Sequence, residues 1–331
     1  MSLSVIDAGA VARVPGRAIV DALDQAFGAG LASAPARTAA EIDGGQMLLM
    51  PAADGLGSGV KLLTLLADNP GRELPFVQGV HVLFGANGSP VSVIDAAALT
   101  AVRTAAVSAV AARRLAPRRG GTVMVFGTGV QARSHVELVT DELAPVRVLV
   151  CGRRAEAVAE VVEWAALRGI TAEPAAPERV AEADVICTCT SSQHPLFAGA
   201  LLRPGTLVIA VGAYRPDMRE LDSRTVMEAA IVVEQVDAAL AEAGDLLIPI
   251  GRGELARDRV RVTLTDVVRG AEVRDAAERT VVFKSVGVAG EDLAAARAIV
   301  AWAGQPGRAV GDDHRWRHPV DAERRGGVSR G

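Results

Sequence analysis

Aromatic side chains are almost missing from this sequence. Six Phe, three Trp and one Tyr make up 3% of its 331 residues, although half of the chain is hydrophobic. Its core must therefore be packed from Ala, Val, Leu and Ile. Positive charge is not in excess either: the formal net charge is -4, so no basic field would draw a nucleic acid, and none is expected as a partner. Cysteine is scarce. Cys151, Cys187 and Cys189 form an odd set without metal-ligand spacing, so no metal is expected, and they read as small buried residues. No charged segment leads into an apolar one at the start, so no export signal is expected. The longest apolar stretch, 93–112, is interrupted by Asp95 and Arg103 and is too polar to span a membrane. A cytoplasmic protein without a membrane partner is expected.

What is present is organised in two styles. A short strand at 3–6 and a helix in "RAIVDALDQAFGAGL" come first. Between 46 and 94 lie the β-rich runs "MLLMP", "GVKLLTLL", "FVQGVHVLF" and "PVSVID", the last two joined by the turn "GANGS". They predict an antiparallel sheet, followed by a long helix from Ala96 to about Leu115. Strands and helices then alternate, with strands near 122–126, 146–150, 184–189, 206–211, 231–233 and 281–286. That alternation predicts an α/β fold with a doubly wound parallel sheet, beside a second α+β domain. The expected division is 1–116 for the first domain and 117–289 for the second, with a helix at 290–304 returning to the first. The tail, 305–331, has no periodicity and is expected to be disordered.

The chemistry begins at "VFGTGVQA". Gly127 suits the tight turn after a buried strand, and Gly129 lets a backbone approach a pyrophosphate at a helix N-terminus. Ala132 holds the third glycine position. An NAD site wants an acid at the end of the next strand, to hold the ribose hydroxyls. This sequence has "VCGRR" there, and Arg153 with Arg154 suits a 2′-phosphate, which favours NADP(H) over NAD(H).

Arg103 raises a different question. No other charge occurs in "AAALTAVRTAAVSAVAA", and a helix apolar all round is buried, where an unpaired charge costs several kcal/mol. An anion must stand opposite it, either an internal Asp or Glu or a substrate carboxylate. Lys61, among the leucines of "GVKLLTLL", and Arg37 in "APARTA" add two more cations that could clamp a carboxylate. Spacing alone does not decide whether the three converge.

Taken together, "LMPA", "GVKLLTL", "LTAVRTAAVSAVAA", "GTGVQA", "CTCTSS", "VGAYRPDMREL" and "FKSVGVAGEDLAAA" resemble the ornithine cyclodeaminase/mu-crystallin family from about 30 to 302. The resemblance implies a substrate-binding and dimerisation domain, a Rossmann cofactor domain, a homodimer, and a small imino or amino acid as substrate. It implies that Arg37, Lys61 and Arg103 carry the substrate carboxylate. Val130 and Gln131 would lie on the pyrophosphate, Thr190 and Val211 on the nicotinamide side, and Ser285 and Val286 would close the site.

The sequence departs from the cyclodeaminases at one place. Where they carry an acid/base Asp after the strand-end "GG" or "GA", this chain has Tyr214, with Asp217 as a nearby carboxylate that could serve either in catalysis or as a turn residue. The "RPDxRELD" form, Arg215 to Asp222, is that of the mu-crystallin branch. The departure favours an NAD(P)H-dependent reductase of a cyclic or N-substituted α-imino acid (a ketimine). An ornithine or lysine cyclodeaminase is one alternative, and a non-catalytic NADPH-binding crystallin-like protein is another.

Overall fold

The side-chain period along the chain changes once, and the kind of sheet changes with it. The computed structural model describes residues 3–72, 74–273 and 275–305. In chain order its strands and α-helices begin with β1 (Ser4–Ile6), α1 (Ala8–Ala12), α2 (Gly16–Ala29), β2 (Thr38–Ile42), β3 (Gly45–Asp54), β4 (Gly57–Leu66), β5 (Val77–Gly85) and β6 (Pro90–Asp95). There follow α3 (Ala96–Leu115), β7 (Thr122–Phe126), α4 (Val130–Leu143), β8 (Arg147–Cys151), α5 (Ala155–Ala166), β9 (Ala172–Pro174), β10 (Val185–Thr188) and β11 (Leu207–Ala210). The last are α6 (Ser223–Glu228), β12 (Ala230–Val233), α7 (Val236–Glu242), α8 (Gly244–Gly251), β13 (Val262–Thr263), α9 (Leu264–Val268), β14 (Val281–Lys284) and α10 (Ala289–Ala303).

By packing, the chain divides into two units. Residues up to Arg103 belong with those from Val288 onward, and Thr104–Gly287 form the other. The division falls inside α3.

The first unit is built on a six-stranded sheet of order β1-β6-β5-β4-β3-β2. Only β1 and β6 run parallel; the other neighbours are antiparallel. In "GSGVKLLTLL", alternate residues through Leu63 are buried, the period of a strand with one covered face. Met50, Ala52 and Leu83 on that face pack with Ala289 and Leu293 of α10. The amphipathic α2 buries Ile19, Val20, Leu23 and Phe27. The strand β2 has no apolar alternation and is largely exposed. It pairs with β3 through its backbone.

The second unit carries an eight-stranded parallel sheet of order β13-β12-β14-β11-β10-β7-β8-β9. Every residue of β7, β10, β11 and β14 is buried, as strands covered by helices on both faces must be. The short edge strands β9 and β13, and the helices α6 to α9, lie where the sequence shows no long period. Beyond Gln305, the expectation for the tail concerns residues outside those described. Among the described residues, no helix is long and apolar enough to cross a membrane.

Candidate functional site

In an open parallel sheet, ligands bind past the carboxyl ends of the strands, where the connections on either side diverge. Here β7 leads to β8 on one side, and the chain returns to β10 on the other. The turn after β7 has no room for a side chain. Gly127 takes φ 121°, and a Cβ on it would stand 2.6 Å from the carbonyl oxygen of Cys189. Gly129 caps α4 with no side chain, the first turn of α4 holds no acid, and a Cβ on Gly129 would meet nothing within 4 Å. The helix thus presents uncovered N–H groups and the positive end of its dipole to open space. Half-buried Val130 and Gln131 begin it. These residues fit the pyrophosphate of a dinucleotide.

The helix is anchored from behind. His135 is fully buried; its Nδ1–H donates to the Gln131 carbonyl at 2.7 Å, and its Nε2 accepts from the Ser108 hydroxyl at 2.8 Å. Past β8, Gly152 is crowded, since a Cβ there would stand 2.8 Å from Thr128 Cγ2. Arg153 and Arg154 follow it, both exposed. Neither forms an ion pair or side-chain hydrogen bond among the described residues, so both guanidiniums are available to an anion.

On the other side of the crevice, buried carboxylates hold the loops. Glu220 accepts from the Thr188 hydroxyl, from the Thr190 N–H and hydroxyl, and from Gly212 N–H, all at 2.7–2.8 Å. Glu234 accepts from the Ser285 hydroxyl at 2.5 Å and from the N–H groups of Val286 and Gly287 at 2.9 and 2.7 Å. Thr190 and half-buried Val211 stand at the ends of β10 and β11, and Tyr214 is half-buried beyond them. Asp217 is exposed and paired with Arg215, at 2.9 and 3.1 Å.

In the first unit, Lys61 and Arg103 do come together, and both meet acids of the same chain. Lys61 Nζ lies 2.7 and 2.9 Å from the two Asp292 carboxylate oxygens. Arg103 reaches Glu291 through Nη1 and Asp292 through Nε, each at 2.8 Å. All four are buried, with Glu291 and Asp292 at 0% exposure. Both acids lie in the first turn of α10, whose dipole also favours them there. Arg37 is half-buried and close enough to push on the Lys61 charge. Burial brings the Lys61 ammonium down to about 8, with Asp292 opposing that shift and Arg103 and Arg37 adding to it. Burial also pushes the Asp292 carboxyl up, but Arg103 and Lys61 outweigh it and hold the group below the usual range.

His81 lies opposite Lys61 in the β4–β5 register, is 1% exposed, and leaves Nδ1 without a hydrogen-bond partner among the described residues. Burial drives its imidazole down to about 4. A histidine neutral in the fold but protonated below 6.5 when unfolded supplies stability above pH 6.5, and that stability is lost as pH falls toward 4. Glu137, pushed up to about 8 by burial, works in the opposite sense between its unfolded value and 8, so the test compares variants. Relative to wild type, His81→Leu should gain roughly 2 kcal/mol in urea unfolding at pH 5 over its difference at pH 7. An equal difference at both pH values would contradict a neutral, buried His81.

Sequence reasoning missed the holding groups: Glu220, Glu234, Asp245, Lys284, Glu291, Asp292 and His81. Glu220, Lys284, Glu291 and Asp292 lie inside the quoted motifs "VGAYRPDMREL" and "FKSVGVAGEDLAAA". For Lys284, Glu291 and Asp292 a charged residue among apolar ones was the available signal, as it was for Arg103, whereas Glu220 stands among other charges.

With this geometry in view, the chain belongs to the ornithine cyclodeaminase/mu-crystallin family, whose sequence profile matches residues 12–304. It is 37% identical over 243 residues to the ketimine reductase mu-crystallin of Mus musculus, covering 72% of this chain and 74% of that protein. The solved structure of Thermococcus litoralis Δ1-pyrroline-2-carboxylate reductase, in complex with NADH and L-proline, matches with a TM-score of 0.85 and 28% identity, over 91% of this chain and 97% of that one. An archaeal alanine dehydrogenase dimer with bound NAD matches with a TM-score of 0.85 and 27% identity, over 91% and 96% of the two chains.

Proposed function

We propose that this protein is an NADPH-dependent reductase that converts a cyclic or N-substituted α-imino acid into an α-amino acid. The observation that carries this reading is the end of β11. Where the cyclodeaminases carry an acid/base Asp, this chain has Tyr214, and the nearby Asp217 is exposed and engaged by Arg215. A net reduction needs one proton delivered to an imine nitrogen, whereas cyclodeamination needs a base that works in both directions. The names of the ketimine and pyrroline-2-carboxylate reductases among its relatives support the same chemistry.

In this reading the second unit holds the dinucleotide along Gly127, Gly129, Val130 and Gln131, with Thr190, Val211 and Ser285 toward the nicotinamide. Arg153 and Arg154 take the 2′-phosphate. The bound cofactor supplies the hydride. The first unit holds the substrate carboxylate through Lys61, Arg103 and Arg37. Lys61 has three protons and, among the described residues, a single carboxylate partner, Asp292, so donor capacity remains on it.

A homodimer is part of the proposal. On the sheet face turned away from α10, Pro51, Val60, Val82 and Val93 stand side by side in register, half-buried and uncharged. Such a face suits a second copy of the same sheet.

The test is a panel of cyclic imines, and of 2-oxo acids paired with amines, each run with NADPH and with NADH. NADPH oxidation that saturates with an α-imino acid is expected. Tyr214→Phe should lower it modestly if the hydroxyl orients the substrate, and by roughly 10²-fold or more if it donates the proton. No turnover with any imino acid would overturn the reading.

A further inference from the structure

Beneath the crevice of the second unit, Glu220 is part of a row of buried charges. The last residues of three neighbouring strands, Thr188, Ala210 and Lys284, stand in register. Lys284 is 0% exposed; its Nζ donates to the Ala210 carbonyl at 3.1 Å and lies 3.1 Å from Asp245 Oδ2. The other oxygen of Asp245 accepts the N–H groups of Glu220 and Leu221, at 2.7 and 2.9 Å. Glu220 then gathers its four donors from Thr188, Thr190 and Gly212. Each of its oxygens receives one backbone N–H, which can only donate, so the arrangement is made for a carboxylate that only accepts. The packing leaves no slack, since a Cβ on Gly212 would stand 2.5 Å from Glu220 Oε1.

Burial and Asp245 push the Glu220 carboxyl up, while Lys284 and the Thr190 and Thr188 donors work against that shift. With both acids ionised and Lys284 protonated, the network carries one negative charge. We propose that Glu220 is a positioning residue of the nicotinamide subsite: it fixes the Thr190 and Gly212 walls and places there a buried negative charge that favours the oxidised, cationic ring over the reduced, neutral one. This rests on the cofactor placement proposed above. A fixed charge in a dry site acts strongly on charge that develops nearby, and in the reductive direction the ring becomes positive as the hydride leaves.

The test is a binding measurement with the full chain. NADP+ and NADPH are titrated separately into the wild type, Glu220→Gln and Glu220→Asp. In Glu220→Gln the preference for NADP+ relative to NADPH should fall about tenfold, the size expected for one charge acting across several ångströms at an intermediate dielectric. Glu220→Asp keeps the charge and loosens the walls, so both nucleotides should weaken while their ratio holds. If Glu220→Gln does not fold, Asp245→Asn removes a charge from the same network, and the same fall in the ratio is expected. Equal weakening of both nucleotides in the charge-removing variant, or an unchanged ratio, overturns the proposal. A wild type that binds neither nucleotide refutes instead the cofactor reading beneath it.

Discussion

Arg103→Met is expected to cost the protein about 3–5 kcal/mol of stability, the range seen when one partner of a buried ion pair is removed. Methionine keeps most of the volume of the arginine stem, so the packing of α3 is not the issue. The loss comes from the acids. Glu291 and Asp292 are fully buried, and Arg103 reaches both at 2.8 Å. Asp292 would keep Lys61, whereas Glu291 would lose the guanidinium that balances its charge. Removing the charge on both sides should then cost less than removing one, so Arg103→Met with Glu291→Gln should recover part of the loss. Urea unfolding of the single and double variants reads this directly. A single variant within 1 kcal/mol of wild type would mean that Arg103 balances no internal charge. The sequence alone left open whether the anion facing Arg103 was internal or belonged to substrate. The fold provides an internal one, and a substrate carboxylate would add to that arrangement rather than complete it.

The second large effect concerns the cofactor. Arg153→Ala or Arg154→Ala should weaken NADPH by roughly tenfold to a hundredfold, the loss of one charge-assisted phosphate contact. NADH, without the 2′-phosphate, should change little. Both guanidiniums are exposed past β8 and engage no acid among the described residues, so their removal leaves no orphaned partner. Folding should therefore be unaffected, which makes the comparison clean. Titrations with both nucleotides decide it. A wild type that prefers NADH, with the preference unmoved in either variant, contradicts the assignment.

The parallel sheet was readable from the sequence because its strands are short apolar runs punctuated by glycine turns and separated by helices. The hairpins of the first unit were readable for a related reason: "GVKLLTLL" and "FVQGVHVLF" keep a strand period. What stayed hidden has no periodic signal. β2 is an exposed edge held by backbone pairing, and β9 and β13 are two or three residues long. The candidate site was proposed from special residues. Gly127, Gly129, Arg153 and Arg154 break the local pattern in ways that demand a reason, as does a lone Arg103 on an apolar helix. Their partners were not legible, because Lys61 and Asp292 are separated by 231 positions and Arg103 and Glu291 by 188. Only the fold closes such distances. Glu220 likewise looks like one acid among several in "RPDMRELD" until its four donors are seen.

Net reduction of an imine and cyclodeamination are separated by two assays run in parallel. The wild type is given L-ornithine with catalytic NAD, and ammonia is measured; in parallel, it is given a cyclic α-imino acid with NADPH, and cofactor oxidation is measured. Stoichiometric NADPH oxidation is expected in the second reaction, and little or no ammonia in the first. Robust ammonia release from ornithine without net cofactor consumption would contradict net imine reduction, and Asp217 would then be the first carboxylate to replace.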